Sequence, residues 1–226
     1  MEQRTFFGEN EKLKMLSKLG DPLERLNKSV NWEMFAEELK GLLYRESSNV
    51  GGRPSYDYLL MFKIVILQQI YNISDDKTEY QINDRISFQR FLGLSIDSTI
   101  PDAKTIWLFK EKLTQSQNGK TLFNRFNKYL KESGLIVQKG SIVDATIIEK
   151  PRKHTDSYDD GAGWTKKGTQ TYYGYKNNIK ADKDSKLIIE FSAMPANYCD
   201  NRAIAELIDE EDKEVYADKG YAGQNI

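Results

Sequence analysis

The chain has 226 residues, of which 39% are apolar and 30% charged, a balance typical of globular proteins with a sizeable buried core. Lys and Arg number 33 against 34 Asp and Glu, so the net charge of −1 gives no support by itself to nucleic-acid binding. The single cysteine, Cys199, excludes an internal disulfide framework and fits a reducing compartment.

Residues 1–135 are predicted to be helical. Apolar side chains recur at helical spacing across residues 23–43, and Gly51-Gly52-Arg53-Pro54 then breaks the pattern. Residues 56–71 form a second predicted helix, apolar almost all round, as expected at the centre of a core. This stretch is interrupted by Lys63 and is too short to span a bilayer. The N-terminal stretch also lacks the apolar run of a secretory signal, so we expect a cytoplasmic protein with no membrane segment.

Three local signals mark further helix ends. Ser74 precedes two acidic residues, the usual start of a helix, and Pro101-Asp102 opens another helix. An amphipathic pattern then covers residues 122–130, and Gly134 is predicted to end that helix.

The pattern changes to β-structure after Gly140. Short β-branched or alternating runs predict strands at residues 141–148, 172–180, 187–193 and 215–217. A turn is predicted at residues 182–185, and residues 200–208 form a predicted helix with Asp200 as its N-cap. The expected order is therefore three strands, a helix and a fourth strand.

Charge is distributed unevenly in this second part. Residues 150–186 contain nine Lys or Arg against five Asp, whereas residues 200–214 contain seven acids against two bases. A basic segment is compatible with a DNA-facing edge, but a solvated surface loop explains it at least as well.

Asp144 and Asp218 are the candidate catalytic carboxylates. Asp144 interrupts an apolar strand, and Asp218 follows the last short strand. If the first and last strands are neighbours, both carboxylates face one cleft, where a divalent cation such as Mg²⁺ or Mn²⁺ would relieve their repulsion. An isolated Asp in a strand is more often hydrogen-bonded to backbone or Arg, so these residues alone favour no metal site.

Other kinds of site find little support. His154 is the only histidine and lies in a polar loop, so with one cysteine a zinc site of the usual type is not expected. No phosphate-binding loop or dinucleotide fingerprint is present in the sequence.

Lysines and aromatic residues alternate around the second predicted strand. The lysines are Lys166, Lys167, Lys176 and Lys180, and the aromatic residues are Trp164, Tyr172, Tyr173 and Tyr175. Lysines can contact DNA phosphates and aromatic rings can stack on unpaired bases. A surface strand with a half-buried aromatic face explains the alternation equally well, and both interpretations stay open.

Several motifs in order resemble insertion-sequence transposases of family five. They are LMFKIVILQQIYNISDDKTEYQINDRISFQRFLGL at residues 60–94, PDAKTIW at 101–107, GSIVDAT at 140–146, GYK at 174–176 and ADKGY at 217–221. The resemblance implies an α+β chain: an all-helical DNA-binding region at residues 1–135, followed by an incomplete RNase H-like (DDE) α/β domain at residues 140–226.

By motif position, the resemblance assigns the first two catalytic acids to Asp144 and Asp218, with Mg²⁺ or Mn²⁺ as cofactor. It implies metal-dependent DNA strand cleavage and transfer, with element terminal repeats and target DNA as partners of a homo-oligomer. The third acid, a Glu, is expected well beyond Asp218, and the sequence ends at Ile226. The chain is therefore expected to be a shortened transposase, or one completed by a frameshift, and whether it is an active enzyme is left open. One alternative is an inactive DNA-binding fragment that regulates or inhibits transposition, and another is a decayed remnant with no selected role.

Overall fold

A computed structural model of the chain describes residues 7–40, 42, 55–150, 161–209 and 212–218. The chain divides into two compact units, Met1–Arg125 and Phe126–Ile226. This division falls within a helix, ahead of the boundary expected at residues 135–140. The predicted break at Gly51-Gly52-Arg53-Pro54, the loop position of His154 and the motif residues 219–221 lie outside the described residues.

The described part of the first unit is helical. Its helices are α1 (Phe7–Lys18), α2 (Pro22–Ser29), a 3-10 helix (Trp32–Phe35), α3 (Ala36–Lys40), α4 (Tyr58–Tyr71), α5 (Asp75–Asp84), α6 (Ile86–Leu92), α7 (Ala103–Gln115) and the start of α8 (Gly119–Glu132). The single helical run expected at residues 23–43 is wrong in detail. Extended backbone at Val30 ends α2, and the 3-10 helix and α3 follow.

The predicted helix starts are confirmed by their capping hydrogen bonds. The Ser74 hydroxyl accepts a hydrogen bond from the Lys77 amide, and an Asp102 carboxylate oxygen accepts one from the Thr105 amide at 2.7 Å. Each bond satisfies a backbone donor that the first turn leaves without a helical partner. These helix starts are therefore encoded within a few residues of sequence.

Helix α4 lies at the centre of the first unit's core, as its apolar sequence predicts. Met61, Ile64 and Leu67 are fully buried, and α4 packs against α3, α6 and α7. None of the helices in the described residues has the combination of length and apolarity needed to cross a membrane.

The second unit contains a five-stranded sheet with helical cover. Its elements are the end of α8, β1 (Ser141–Glu149), β2 (Gly163–Lys167), β3 (Gln170–Asp182), β4 (Ile188–Pro195), α9 (Asp200–Leu207) and β5 (Val215–Ala217). The expected order of three strands before the helix is wrong, because β2 forms a hairpin with β3 around Gly168. Cys199, rather than Asp200, occupies the N-cap of α9, and it makes no side-chain capping bond.

Strand β3 organises the sheet. It pairs antiparallel with β1, β2 and β4, and β5 pairs parallel with the far side of β1. Parallel neighbours need a crossover connection, and α9 lies in the segment between β4 and β5 that supplies it. The predicted turn at residues 182–185 is confirmed: Asp182 accepts hydrogen bonds from the Ser185 amide and hydroxyl at 2.8 and 2.7 Å.

Helix α9 covers one face of this sheet. Its residues Ala203, Ile204 and Leu207 are buried, and Glu206 accepts a hydrogen bond from the Ser192 hydroxyl on β4. Side chains alternate along a strand, so Lys180 lies on the same face as Asn178, which pairs with Ser192. Asp144 lies on the other face, because it is the residue after the one that pairs with Lys180. The covered face and the face with the candidate carboxylate are therefore opposite.

Candidate active site

Asp144 and Asp218 follow the last registered pair of two neighbouring strands. Val143 on β1 pairs with Ala217 on β5, and each Asp is the next residue in its chain. Neighbouring strands lie about 4.8 Å apart, and residues in parallel register point to the same face. The register therefore brings together two carboxylates that the chain separates by β2, β3, β4 and α9.

Both carboxylates are accessible. Asp144 and Asp218 are exposed, and Asp144 Oδ1 accepts one hydrogen bond, at 2.8 Å, from the amide of Ala145. Carboxylate oxygens on adjacent strands fit Mg²⁺ and Mn²⁺, which take oxygen ligands and keep several waters. Within the described ranges, no group of three or more His, Cys, Asp or Glu residues is placed to hold a metal ion. The donor set described at this position is thus a pair of carboxylates.

Two of the candidate DNA-contacting lysines lie together at the end of the β2–β3 hairpin. Lys166 and Lys167 are exposed and lie two residues or fewer from the turn at Gly168. Lys176 is partly buried farther along β3, and its Nζ donates a hydrogen bond to the Tyr198 carbonyl at 3.1 Å. The structure therefore brings two of the four predicted lysines to one exposed tip.

Lys180 is in a different environment from the other three lysines. It is only 2% exposed, and its Nζ lies 2.8 Å from Asp212 Oδ2 and 3.3 Å from Asp209 Oδ2. A buried ammonium group paired with carboxylates is not accessible to a DNA phosphate. We therefore correct the predicted DNA-contacting role of Lys180 to a structural one.

The hairpin carries a partly exposed aromatic pair. The rings of Trp164 and Tyr173 lie 5.0 Å apart at 44°, and Trp164 is 45% exposed. Register pairs Trp164 with Tyr173 and Lys166 with Thr171, so Lys166 lies on the same face as the aromatic pair. A cation beside exposed rings is a combination suited to nucleic-acid backbone and bases.

Sequence reasoning missed the buried network around Lys180. Asp212 also accepts a hydrogen bond from the Ser141 hydroxyl at 2.5 Å and one from the Asp209 amide at 3.0 Å. Burial raises the pKa of Asp212, but hydrogen bonds from Lys180, Ser141 and the Asp209 backbone outweigh it and hold the pKa below its ordinary value. The sequence did offer a signal for this network. Lys180 lies two residues from Asn178, and therefore on the same face of the strand, and an acidic segment at residues 200–214 follows it.

The fold and the carboxylate pair together define a class. Strands β1, β3 and β4 form an antiparallel set with β3 in the middle, and α9 then leads to β5, which runs parallel to β1. With an acid on β1 and another directly after β5, this arrangement is an RNase H-like domain to which β2 is added. Two family models match the chain: Transposase domain (DUF772) at residues 11–112 and Transposase DDE domain at residues 137–226. No solved structure gives a match to the chain.

The chain belongs to the DDE transposases. Both matched models describe transposases, so its role is in DNA transposition, its substrate is DNA, and its chemistry depends on divalent metal. The alternative of an inactive regulatory fragment is not favoured by either match.

Proposed function

We propose that Asp144 and Asp218 are two of the carboxylates with which this transposase cuts and rejoins DNA strands, and that Mg²⁺ or Mn²⁺ is the ion they hold. The observation that carries the proposal is the parallel register of Val143 with Ala217, which continues directly into the two acids. We also propose membership of insertion-sequence family five on the motifs at residues 60–94, 140–146 and 217–221. It stays a prediction that the protein is cytoplasmic and that several copies assemble on DNA.

The chain's own residues would perform three tasks in this reaction. Asp144 lies on the nine-residue strand β1, where it pairs with Ile179 of β3 and directly follows the last pair with β5. This pairing holds its backbone, and its exposure leaves room for a DNA phosphate. Asp218 would supply carboxylate oxygens from the neighbouring strand. Divalent ions held by these carboxylates would supply charge stabilisation and an activated nucleophile for in-line displacement at phosphorus. The resemblance expects a third carboxylate beyond Asp218, and no earlier acid is assigned to that role.

We further propose that the β2–β3 hairpin contacts DNA. Lys166 and Lys167 would pair with phosphates, and Trp164 with Tyr173 would stack on bases or sugars. Lys176, farther along β3, stays a candidate DNA contact. Lys180 is left out because its ammonium group is buried against Asp212.

The test is strand cleavage and strand transfer by the 226-residue chain on DNA carrying the element ends, with Mg²⁺ or Mn²⁺. Asp144→Asn and Asp218→Asn should each lower the rate by about 10³-fold or more, as removal of a metal-binding carboxylate removes stabilisation specific to the transition state. Asp184→Asn, an exposed acid in the β3–β4 turn, is the matched control and should keep the rate. Equal activity in Asp144→Asn would contradict the assignment. End-DNA binding without cleavage by the unchanged chain would support the regulatory alternative.

A further inference from the structure

The sheet carries a buried ion pair on the face opposite Asp144. Lys180 of β3 is 2% exposed, and the side chain of its partner Asp212, before β5, is 3% exposed. In the register, Lys180 pairs with Val143, the residue directly before Asp144. The ion pair therefore lies behind the candidate site and touches neither the accessible carboxylates nor the surface proposed for DNA.

Asp212 joins three separate segments of the second unit. One oxygen accepts from Ser141 at the start of β1, and the other accepts from Lys180 on β3 and from the amide of Asp209 after α9. The next contact along the chain is the Ser141 amide, which donates to the Glu214 carbonyl at 2.8 Å immediately before β5. Just before β5, the Asp212 side chain is thus bonded to β1 and β3, and the Glu214 backbone is bonded to β1.

Among the described residues, strand β5 makes few other bonds that hold it in place. It is three residues long, and in the described residues its registered pairing is with β1, from Ser141–Val215 to Val143–Ala217. A second tether, from Lys183 to Glu214 and Tyr216, is solvent-exposed, with side-chain exposures of 41% and 57% for the lysine and the glutamate. Exposed ion pairs contribute little because water and salt screen them.

We propose that Lys180 and Asp212 are positioning residues that hold β5 in register against β1 and so keep Asp218 beside Asp144. The proposal rests on the proposed function of the two carboxylates. A buried ion pair is a weak source of stability, because well-packed apolar side chains of similar size stabilise as much or more. Its directional bonds, in contrast, select one arrangement of the segments it joins. A slip of one residue in β5 would turn Asp218 to the opposite face.

The experiment compares Mn²⁺ affinity, by titration calorimetry, with amide hydrogen exchange at residues 215–217 in the full 226-residue chain. The variants are Lys180→Met, the apolar double variant Lys180→Met with Asp212→Leu, and the shape-conserving Asp212→Asn. Lys180→Arg is the conservative rescue, since it restores a donor to Asp212. The matched control is a second lysine–aspartate pair, in the helical unit, replaced in the same way by Lys110→Met with Asp75→Leu. In this pair, Lys110 Nζ lies 2.6 Å from Asp75 Oδ1.

We expect the apolar double variant and Asp212→Asn to stay folded while Mn²⁺ affinity falls about tenfold or more and exchange at residues 215–217 rises. The β1–β3 amides and the Lys110 control should be unchanged in both readouts, and Lys180→Arg should recover much of the affinity. Unchanged affinity and exchange in a folded apolar double variant would overturn the proposal. If Asp144→Asn binds Mn²⁺ as tightly as the unchanged chain does, the proposed function is contradicted. Hydrogen exchange at residues 215–217 would still test whether the ion pair holds β5 in place.

Discussion

Asp144 and Asp218 occupy equivalent positions on neighbouring parallel strands, each one residue beyond the pair formed by Val143 and Ala217. Parallel register gives their side chains a common face, and strand spacing keeps the two backbones about 4.8 Å apart. Two carboxylates on neighbouring strands repel each other, and a cation bound between them offsets that repulsion.

Mn²⁺ should stabilise the unchanged chain against heat. At a concentration 100 times its dissociation constant, a ligand of the folded state adds about 2.7 kcal/mol, and for a chain of this size we expect a rise in Tm of about 5 °C or more. Asp144→Asn and Asp218→Asn should lose most of this rise, whereas Asp184→Asn should retain it. The measurement is calorimetric melting with and without Mn²⁺, and an equal rise in all variants would place the ion elsewhere.

Replacing Lys166 and Lys167 with Gln should weaken DNA binding in a salt-dependent manner. Removing one lysine–phosphate pair reduces the slope of log affinity against log salt by about 0.9 for duplex DNA, so the slope of the double variant should fall by about 1.8. The control is Lys128→Gln on α8, a lysine whose side chain is 76% exposed. Fluorescence anisotropy at several salt concentrations measures the slope, and a slope that stays constant in the double variant would remove the hairpin from the DNA surface.

Gly174→Ala should disrupt the sheet where β1 and β2 both meet β3. A Cβ at this position would lie 2.1 Å from the Ile148 carbonyl oxygen and 3.0 Å from the Lys150 nitrogen, and φ is +157°. Because both neighbours are backbone atoms, we expect a loss of about 2 kcal/mol or more in the free energy of unfolding. Gly168→Ala, at φ +62° with open space around it, should cost only about 1 kcal/mol. Urea unfolding compares the two, and similar losses would show that the sheet relaxes around the added methyl group.

Asp182 should make the second unit sensitive to acid. Burial raises its pKa, but hydrogen bonds from Ser185 and from the Gln138 and Asp184 amides outweigh burial and hold the pKa below its ordinary value of 3.8. A lowered folded-state pKa contributes stability above pH of about 4 that is lost as the pH falls through the folded value.

The matched variant for this acid effect is Asp182→Asn. It should be less stable than the unchanged chain at pH 7, by about 1–3 kcal/mol, since the amide group replaces an acceptor oxygen with a donor. The difference should shrink as the pH is lowered below 4. Urea unfolding at pH 7, 4 and 3 measures it, and a constant difference across these values would show that the Asp182 charge plays no part.

Local features of the fold were predictable because their physical cause lies within a few residues. Ser74 and Asp102 cap helices through bonds to amides three residues ahead, and Asp182 builds its turn in the same way. Strand β2 was missed because Gly163–Lys167 is short and polar, and it becomes a strand only by pairing with β3. The helical run at residues 23–43 was overextended because apolar spacing does not reveal where the backbone changes direction.

Sequence alone identified the side chains that could carry the chemistry: two acids at strand positions, lysines interleaved with aromatic residues, and motifs that resemble those of a transposase family. Which of these residues meet was decided only by the tertiary structure. Strand register placed Asp144 next to Asp218, and alternation across the sheet turned Lys180 to the face that α9 covers, where Asp212 neutralises it. The physical reason is that register and burial depend on pairing between distant segments, whereas residue type and local spacing report only on the segment that contains them.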